Sequence, residues 1–347
     1  MKPWSARLVL SAFLVVVVSG AVFCRGTSGP GKVISGPNQG DVELYRSIVD
    51  RLHEGEGYYK VVGSELRSRG YATRPFFTWR LPTLACFLAE LPIAQIGMWV
   101  LAALASLALA IWLGVLSKDG GFYMALLGGG LLLGIVASCL AESAFLFHEL
   151  WAGVLIALSI AVYTRNRALS VAAGLLALFI RELSLPFVAV MLIMAYKEKH
   201  RREALAWLVG IGAFFLYLSV HAKIVSGLLT NAELSNAGWV QFGGWSFVLA
   251  TAKWTVVTVF TPWWIDIFLL PLILIGLIGW RGAIGTRVGL ASTLYVLAFM
   301  IAGRSDNFYW GMMYAPLLAL GMLRIPRSVA DLYHRAIGPR PEYSQPR

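Results

Sequence analysis

Charged residues are scarce in this chain. They make up 14% of its 347 residues, whereas hydrophobic residues make up 58%, and the mean hydropathy is +0.71. Soluble domains carry about 25% charged residues, so a soluble enzyme and a disordered chain both fit poorly. One membrane crossing needs about 20 apolar residues. The composition therefore predicts an all-α, polytopic transmembrane helical bundle.

Cysteines and the usual soluble-enzyme motifs are also few. Cys24, Cys86 and Cys139 are scattered and have no CxxC spacing, which disfavours a disulfide framework or a zinc site. No GxGxxG, P-loop, HExxH or Ser-His-Asp spacing is present, so a cytoplasmic nucleotide-sugar site has no support. The sequence assigns no metal ligand and no certain cofactor, and it leaves a divalent cation open.

The placement of Lys and Arg predicts the topology. Apolar runs predict ten spans, at 8–24, 93–116, 122–140, 149–164, 168–181, 183–196, 204–222, 263–280, 288–303 and 311–323. The short connections on one side contain the basic residues, whereas 139–148 on the other side contains none. Cytoplasmic loops carry the Lys/Arg excess, so both termini are expected in the cytoplasm. The net charge of +11 then reflects orientation, and no nucleic-acid partner is expected.

This topology divides the chain into a membrane module, 1–327, and a short cytoplasmic tail, 328–347. Its longest external loops are 25–80 and 223–262. Alternatively, the first span is a signal peptide cleaved after the small residues 19–21. Residues 168–196 are expected to form two short helices that meet at an external turn, because Arg181, Glu182 and Pro186 interrupt the run.

The first external loop is predicted to carry an amphipathic helix over 41–54, after a Gly/Pro/Ser-rich linker at 26–40. Tyr45, Ile48, Val49 and Leu52 follow the i, i+3, i+4, i+7 pattern of one helix face. Asp41 begins this segment. It is a candidate general base, and the alternative is that it only caps the helix N-terminus.

Other ionisable residues gather at the external ends of the spans. Arg80 lies in an aromatic and basic stretch, 71–83, for which an interfacial anchor is the alternative. Lys253 is a lone cation in the apolar stretch 247–260 of the second loop, among tryptophans such as Trp239 that are typical of the membrane interface.

Five stretches together resemble the GT-C class of polytopic membrane glycosyltransferases, particularly bacterial proteins related to protein mannosyltransferases and lipid A aminoarabinose transferases. They are Gly40-Asp41 with Tyr45 and Gly57-Tyr58-Tyr59, Thr78-Trp79-Arg80-Leu81-Pro82-Thr83, His148-Glu149-Leu150-Trp151-Ala152-Gly153, Arg181-Glu182, and Asp306-Asn307-Phe308-Tyr309-Trp310-Gly311. The resemblance implies a polyprenyl-phosphate-linked sugar donor, with inverting transfer at the periplasmic face of a bacterial inner membrane. The acceptor, a lipid, polysaccharide or protein, stays open.

Roles follow from the chemistry of such a transfer. Asp41 would remove the acceptor proton, and Arg181, Arg304, Lys253 and Arg80 would bind the donor phosphate. The residues expected to contact sugar or acceptor are Glu182, Asp306, Asn307, His148, Glu149 and Tyr45. Structural alternatives are an ion pair for Arg181-Glu182, a helix start for His148-Glu149 and a turn for Asp306-Asn307. Alternative functions are a transporter or flippase of lipid-linked saccharide and a non-catalytic membrane assembly protein.

Overall fold

The computed structural model describes residue 11 and residues 39–229 and 241–337. Apart from residue 11, the predicted first span 8–24 lies outside these residues, and so does the signal-peptide alternative. The same holds for Cys24, Trp239, most of the linker 26–40 and the end of the tail. No β-strand is present in the described part of the chain. The predicted all-α class is therefore confirmed.

Helices follow one another with short connections. The α-helices are α1 (Gln39–His53), α2 (Tyr58–Ser68), α3 (Pro82–Ala89), α4 (Ile96–Cys139), α5 (His148–Val162), α6 (Arg167–Ile180), α7 (Leu185–Lys197), α8 (Arg201–Leu228), α9 (Gly244–Ala252), α10 (Trp263–Gly279), α11 (Gly282–Ile301), α12 (Ala315–Met322) and α13 (Ile325–Ile337). Short 3-10 helices lie at Phe76–Thr78, Ala144–Leu146, Glu182–Ser184 and Ser305–Met313.

Membrane character is visible in the longer helices. Within the described ranges, α4, α8 and α11 are long and apolar enough to cross a bilayer. Helices α5, α6 and α10 are also apolar, but they have 10–17 residues each. The helical bundle is thus confirmed, whereas the count of ten spans is not.

Helix α4 is interrupted where two predicted spans meet. Its 44 residues contain non-helical backbone at Gly120 and Gly121, and φ of Gly121 is 76°, a conformation that glycine adopts at no steric cost. A Cβ atom at Gly128 would meet Leu116, and one at Gly129 would meet Leu113. The two halves therefore fold back on each other, as the separate runs 93–116 and 122–140 predict.

The break predicted within 168–196 is also present. Helix α6 ends at Ile180, Arg181 adopts an extended conformation (φ −142°, ψ 113°), and a 3-10 turn leads into α7. Pro186 lies in the first turn of α7, where its missing N–H costs no helical hydrogen bond. This geometry turns the Arg181 side chain into the bundle, where it is fully buried.

Helix α1 confirms the amphipathic segment of the first loop. Leu44, Tyr45, Ile48 and Val49 are buried in the main hydrophobic core, as the helical spacing predicts. Asp41 is the third residue of the helix and lies in its first turn. The N-cap alternative for Asp41 is therefore wrong.

The basic connections gather at one end of the bundle. Arg287 of α11 is fully buried and bonds both carboxylate oxygens of Glu198, at 3.0 and 2.7 Å, and the hydroxyl of Tyr163 at 2.6 Å. Arg324 forms an ion pair with Asp119. Connections that the sequence analysis assigned to one side of the membrane are thus in mutual contact. Residues 328–337 of the tail belong to α13.

At the opposite end, the first loop contacts the connection before α5. Arg46 of α1 donates a hydrogen bond to Ser143 at 2.9 Å. Helix α5 then packs against the 3-10 helix Ser305–Met313 at a close approach, since a Cβ atom at Gly153 would overlap the carbonyl oxygen of Met312. The glycine therefore sets the distance between two elements that reach the same end of the bundle.

We expect Gly153→Ala to lower the apparent melting temperature in detergent, because overpacking costs about 1–3 kcal/mol. Gly212→Ala in α8 is the matched control, since no atom lies within 4 Å of its added Cβ and alanine favours a helix. That variant should melt at or above the wild-type temperature. Equal melting temperatures for both variants would contradict the close packing at Gly153.

Candidate functional site

A cavity of about 140 Å³ lies where α1 and the first loop meet the start of α5 and the last turn. We call it the first-loop cavity. Its polar lining consists of Asp41, Tyr45, Tyr58, Tyr71, Thr78, Arg80, His148, Arg304, Asp306, Asn307 and Tyr309. Three distant parts of the sequence, the first loop, the start of α5 and the last turn, therefore contribute polar groups to one cavity.

Asp41 is the carboxylate of this cavity that has no cationic partner. Its Oδ1 atom accepts a hydrogen bond from the hydroxyl of Tyr71 at 2.8 Å, and it forms no ion pair within the described residues. Burial raises the pKa of Asp41, although the Tyr71 hydrogen bond and the charge of Arg80 oppose this. A carboxylate with a raised pKa is suited to take up a proton.

Arg80 holds two tyrosine hydroxyls on the wall of the cavity. Its Nε atom donates to Tyr45 at 3.1 Å, and its Nη2 atom donates to Tyr309 at 3.1 Å. The Tyr58 hydroxyl donates to the carbonyl oxygen of Arg80 and fixes its backbone. Much of the hydrogen-bonding capacity of this guanidinium is thus committed to the protein.

Behind Arg80, a row of alternating charges continues into the bundle. Glu149 lies 3.9 Å from Arg80 and 2.7 Å from Arg181, measured between nitrogen and oxygen atoms. Arg181 also pairs with Glu182, and its guanidinium lies 5.9 Å from the ring centre of Trp310. Glu149 and Arg181 are fully buried, so they support the cavity wall without lining it.

The last turn supplies the rim. Arg304 donates to both oxygens of Asp306, at 3.2 and 3.0 Å, and both side chains are partly exposed. Asn307 accepts a hydrogen bond from Tyr309 at 3.4 Å. This exposed ion pair is the most accessible charge on the cavity, and it can exchange partners at little cost because surface pairs are weak.

Lys253 does not line the first-loop cavity. Its ammonium group pairs with Asp266 and donates to the carbonyl oxygens of Thr258, at 2.9 Å, and Thr261. The lone cation of the sequence therefore has a local counter-ion 13 residues further along the chain. Of the predicted residues, the structure brings Asp41, Tyr45, Arg80, His148, Arg304, Asp306 and Asn307 to the cavity, with Glu149, Arg181 and Glu182 in the row behind Arg80.

Tyr71, Tyr58, Thr78 and Tyr309 are cavity residues to which the sequence analysis gave no role. Tyr71 and Thr78 belong to the aromatic and basic stretch, and Tyr309 to the last motif, so their neighbourhood was a usable signal. Their contacts could not be predicted from the sequence, because the hydrogen bond from Tyr71 to Asp41 joins residues 30 positions apart.

An apolar pocket of about 290 Å³ lies beside the first-loop cavity. Its lining residues include Ile135, Phe147, Leu150, Trp254 and Pro316. Phe147 stands between the two spaces, since its ring contacts Tyr45 and Tyr309 edge-on, with ring centres 6.0 and 5.8 Å apart. A polar and an apolar compartment therefore share one aromatic wall.

No group of three or more His, Cys, Asp or Glu side chains in the described ranges is arranged to hold a metal ion. Cys86 and Cys139 are free thiols. The chemistry that the described cavity offers is acid–base and ionic, through a carboxylate, guanidinium groups and tyrosine hydroxyls.

Removing one partner of a buried ion pair costs about 3–5 kcal/mol where the remaining charge has no other partner. Arg181 keeps Glu182 when Glu149 is replaced, so this figure is an upper bound here. We expect Glu149→Gln to lower the apparent melting temperature strongly, because Glu149 and Arg181 are both inaccessible to water. Glu182→Gln removes the other carboxylate next to Arg181, which is 25% exposed, and should cost much less. Equal losses in a thermal-shift measurement would mean that Glu149 does not support the cavity.

Comparison of the chain with protein-family models, with curated proteins and with solved structures finds no match in any of the three.

Proposed function

We propose that the protein is an integral-membrane glycosyltransferase that transfers a sugar from a polyprenyl-phosphate carrier to an acceptor hydroxyl, with inversion. The observation that carries this proposal is the placement of Asp41, a half-buried carboxylate that forms no ion pair with the described residues, in the same cavity as Arg80 and Arg304. Inverting transfer needs a base for the acceptor proton and a cation for the leaving phosphate.

Asp41 acts as the base in this proposal. Its Oδ1 atom is held by Tyr71, which leaves Oδ2 for the acceptor hydroxyl. Arg304 at the exposed rim exchanges Asp306 for the donor phosphate, since a guanidinium can contact two phosphate oxygens at once. Arg80 and Arg181 add positive charge from the wall, while Lys253 stays with Asp266.

The apolar pocket supports a lipid-linked donor. It lies on the other side of Phe147 from the polar cavity, so an isoprenoid chain bound there would bring its phosphate to the rim. A soluble nucleotide-sugar would have no use for such a pocket. The acceptor, whether lipid, polysaccharide or protein, enters from the exposed side near Asp306.

The proposal orients the cavity towards the periplasm of a bacterial inner membrane, with ten spans and both termini in the cytoplasm. The support for this orientation is the gathering of basic connections at the opposite end, where Arg287 and Arg324 lie. Helix α5 has 15 residues and is about 22 Å long, shorter than the ~30 Å apolar core of a bilayer. The cavity would then open below the outer surface, at the depth of lipid phosphates.

We expect Asp41→Asn to reduce the turnover number at least 100-fold, in line with the contribution of a general base. The assay uses purified protein in nanodiscs with polyprenyl-phosphate sugars and follows formation of the new glycosidic bond. Asp50→Asn is the matched control, because Asp50 lies exposed on the same helix and should keep full activity.

The Asp41→Asn protein should also fold at least as well as the wild type. The pKa of Asp41 is higher in the folded chain than its ordinary value, so its ionised form destabilises the fold above that pKa. Normal transfer by this variant would remove Asp41 as the base. Movement of lipid-linked saccharide across vesicles by a wild type that makes no glycosidic bond would favour a flippase instead.

The pH profile gives an independent check of the base. Transfer should fall as the pH drops through the pKa of Asp41, which burial raises and the Tyr71 hydrogen bond lowers. Tyr71→Phe removes that hydrogen bond, so the acid limb should move to higher pH. Tyr59→Phe is the control, since Tyr59 contacts His221. An acid limb that Tyr71→Phe leaves in place would argue against titration of Asp41.

A further inference from the structure

His148 is a buried polar residue that the fold does not satisfy. It is the first residue of α5, its exposed fraction is 3%, and it lines the first-loop cavity. Both ring nitrogens are buried, and neither has a hydrogen-bond partner among the described residues. Its ring contacts Tyr45 edge-on, with centres 5.5 Å apart, so aromatic packing holds the imidazole in place.

A second buried histidine shows what a structural role looks like in this protein. His221 of α8 has both ring nitrogens in contact with polar atoms, Nδ1 with the Tyr59 hydroxyl at 3.2 Å and Nε2 with the Trp79 carbonyl at 3.3 Å. A buried polar group without a hydrogen-bond partner destabilises the folded state. The fold pays this cost at His148 but not at His221, which indicates that the partner of His148 is a ligand.

The chemistry around His148 selects the class of ligand group. The Oγ1 atom of Thr78 also lines the cavity, is buried and has no partner within the described part of the chain. A neutral imidazole and a hydroxyl each offer both a donor and an acceptor. A sugar hydroxyl can satisfy both kinds of group, whereas an ionised phosphate oxygen can only accept.

The nearby guanidinium groups do not compete for this role. Arg80 is bonded to Tyr45 and Tyr309, and Arg181 lies behind the wall with Glu149. The cation with an exposed, exchangeable partner is Arg304 at the rim. The buried neutral groups of the cavity without a described hydrogen-bond partner are thus His148 and Thr78, whereas the cation that can exchange its partner lies at the rim.

We propose that His148 and Thr78 form a subsite that hydrogen-bonds the hydroxyl groups of the donor sugar, while the phosphate stays at the Arg304 rim. This inference rests on the proposed function and assigns the direction in which the donor lies. It makes His148 a sugar-binding residue that discriminates between a glycosylated carrier and the bare carrier phosphate.

The test measures binding to the protein in nanodiscs, with undecaprenyl phosphate and undecaprenyl phosphate bearing mannose, glucose or galactose as probes. For the sugar that the wild type prefers, His148→Leu should weaken binding about tenfold, the loss expected for one or two neutral hydrogen bonds. Binding of bare undecaprenyl phosphate should change less than twofold. His148→Gln keeps a donor and an acceptor and should recover part of the preference.

A stability measurement separates this role from a structural one. His148 makes no hydrogen bond with the described residues, so His148→Leu deprives none of their polar atoms of a partner. Its melting temperature should therefore equal or exceed that of the wild type. His221→Leu strands the Trp79 carbonyl and should melt lower. A large drop for His148→Leu would show a structural role and overturn the inference.

The binding outcomes distinguish failure of the proposed function from failure of the proposed His148 subsite. If the wild type binds none of the glycosylated probes more tightly than the bare carrier, the donor assignment fails and the subsite fails with it. If the wild type prefers a glycosylated probe and His148→Leu keeps that preference, the subsite alone is wrong. Equal loss of bare and glycosylated carriers would assign His148 to the phosphate and would also overturn it.

Discussion

The buried ion pair between Glu149 and Arg181 is the contact on which the site depends. Taking a carboxylate and a guanidinium out of water costs several kcal/mol for each ion, and only a close partner offsets this cost. The pair therefore fixes the break between α6 and α7 against the start of α5. Since His148 precedes Glu149 directly, and Arg80 lies 3.9 Å from the same carboxylate, the pair also positions the cavity wall.

Local features of the sequence predicted much of this architecture. The helix breaks at Gly120-Gly121 and at Arg181 follow from backbone preferences and from charges that an apolar run does not tolerate, and the buried face of α1 follows from helical periodicity. Membership of the cavity was harder to predict. Arg304 and Lys253 were both expected to bind the donor phosphate, yet Lys253 pairs with Asp266 away from the cavity, whereas Arg304 lies at its rim. Such a choice depends on tertiary contacts that no spacing encodes.

Glu198 and Asp41, at opposite ends of the bundle, differ in the hydrogen-bond and ionic partners of their carboxylates. At the basic end, Glu198 receives two hydrogen bonds from Arg287 and one from Tyr163, so its charge is fully compensated. At the cavity end, Asp41 receives one hydrogen bond, from Tyr71. Because burial raises the pKa of Asp41, its ionised form destabilises the fold. Such unbalanced groups are concentrated at functional sites.

Side chains that are bonded to the protein and side chains that are free to bind a ligand occupy different parts of the cavity. Arg80 donates hydrogen bonds to Tyr45 and Tyr309 and thereby holds these two rings of the cavity wall in place. The rim pair of Arg304 and Asp306 is exposed and weak, and His148 in the interior forms no hydrogen bond with any described residue. A ligand with an anionic end, a hydroxylated end and an apolar chain satisfies all three conditions at once, because the apolar pocket opens beyond Phe147. A free sugar lacks the anion and the chain, and a phospholipid whose headgroup carries no sugar or inositol lacks the hydroxylated ring that the proposed subsite would bind.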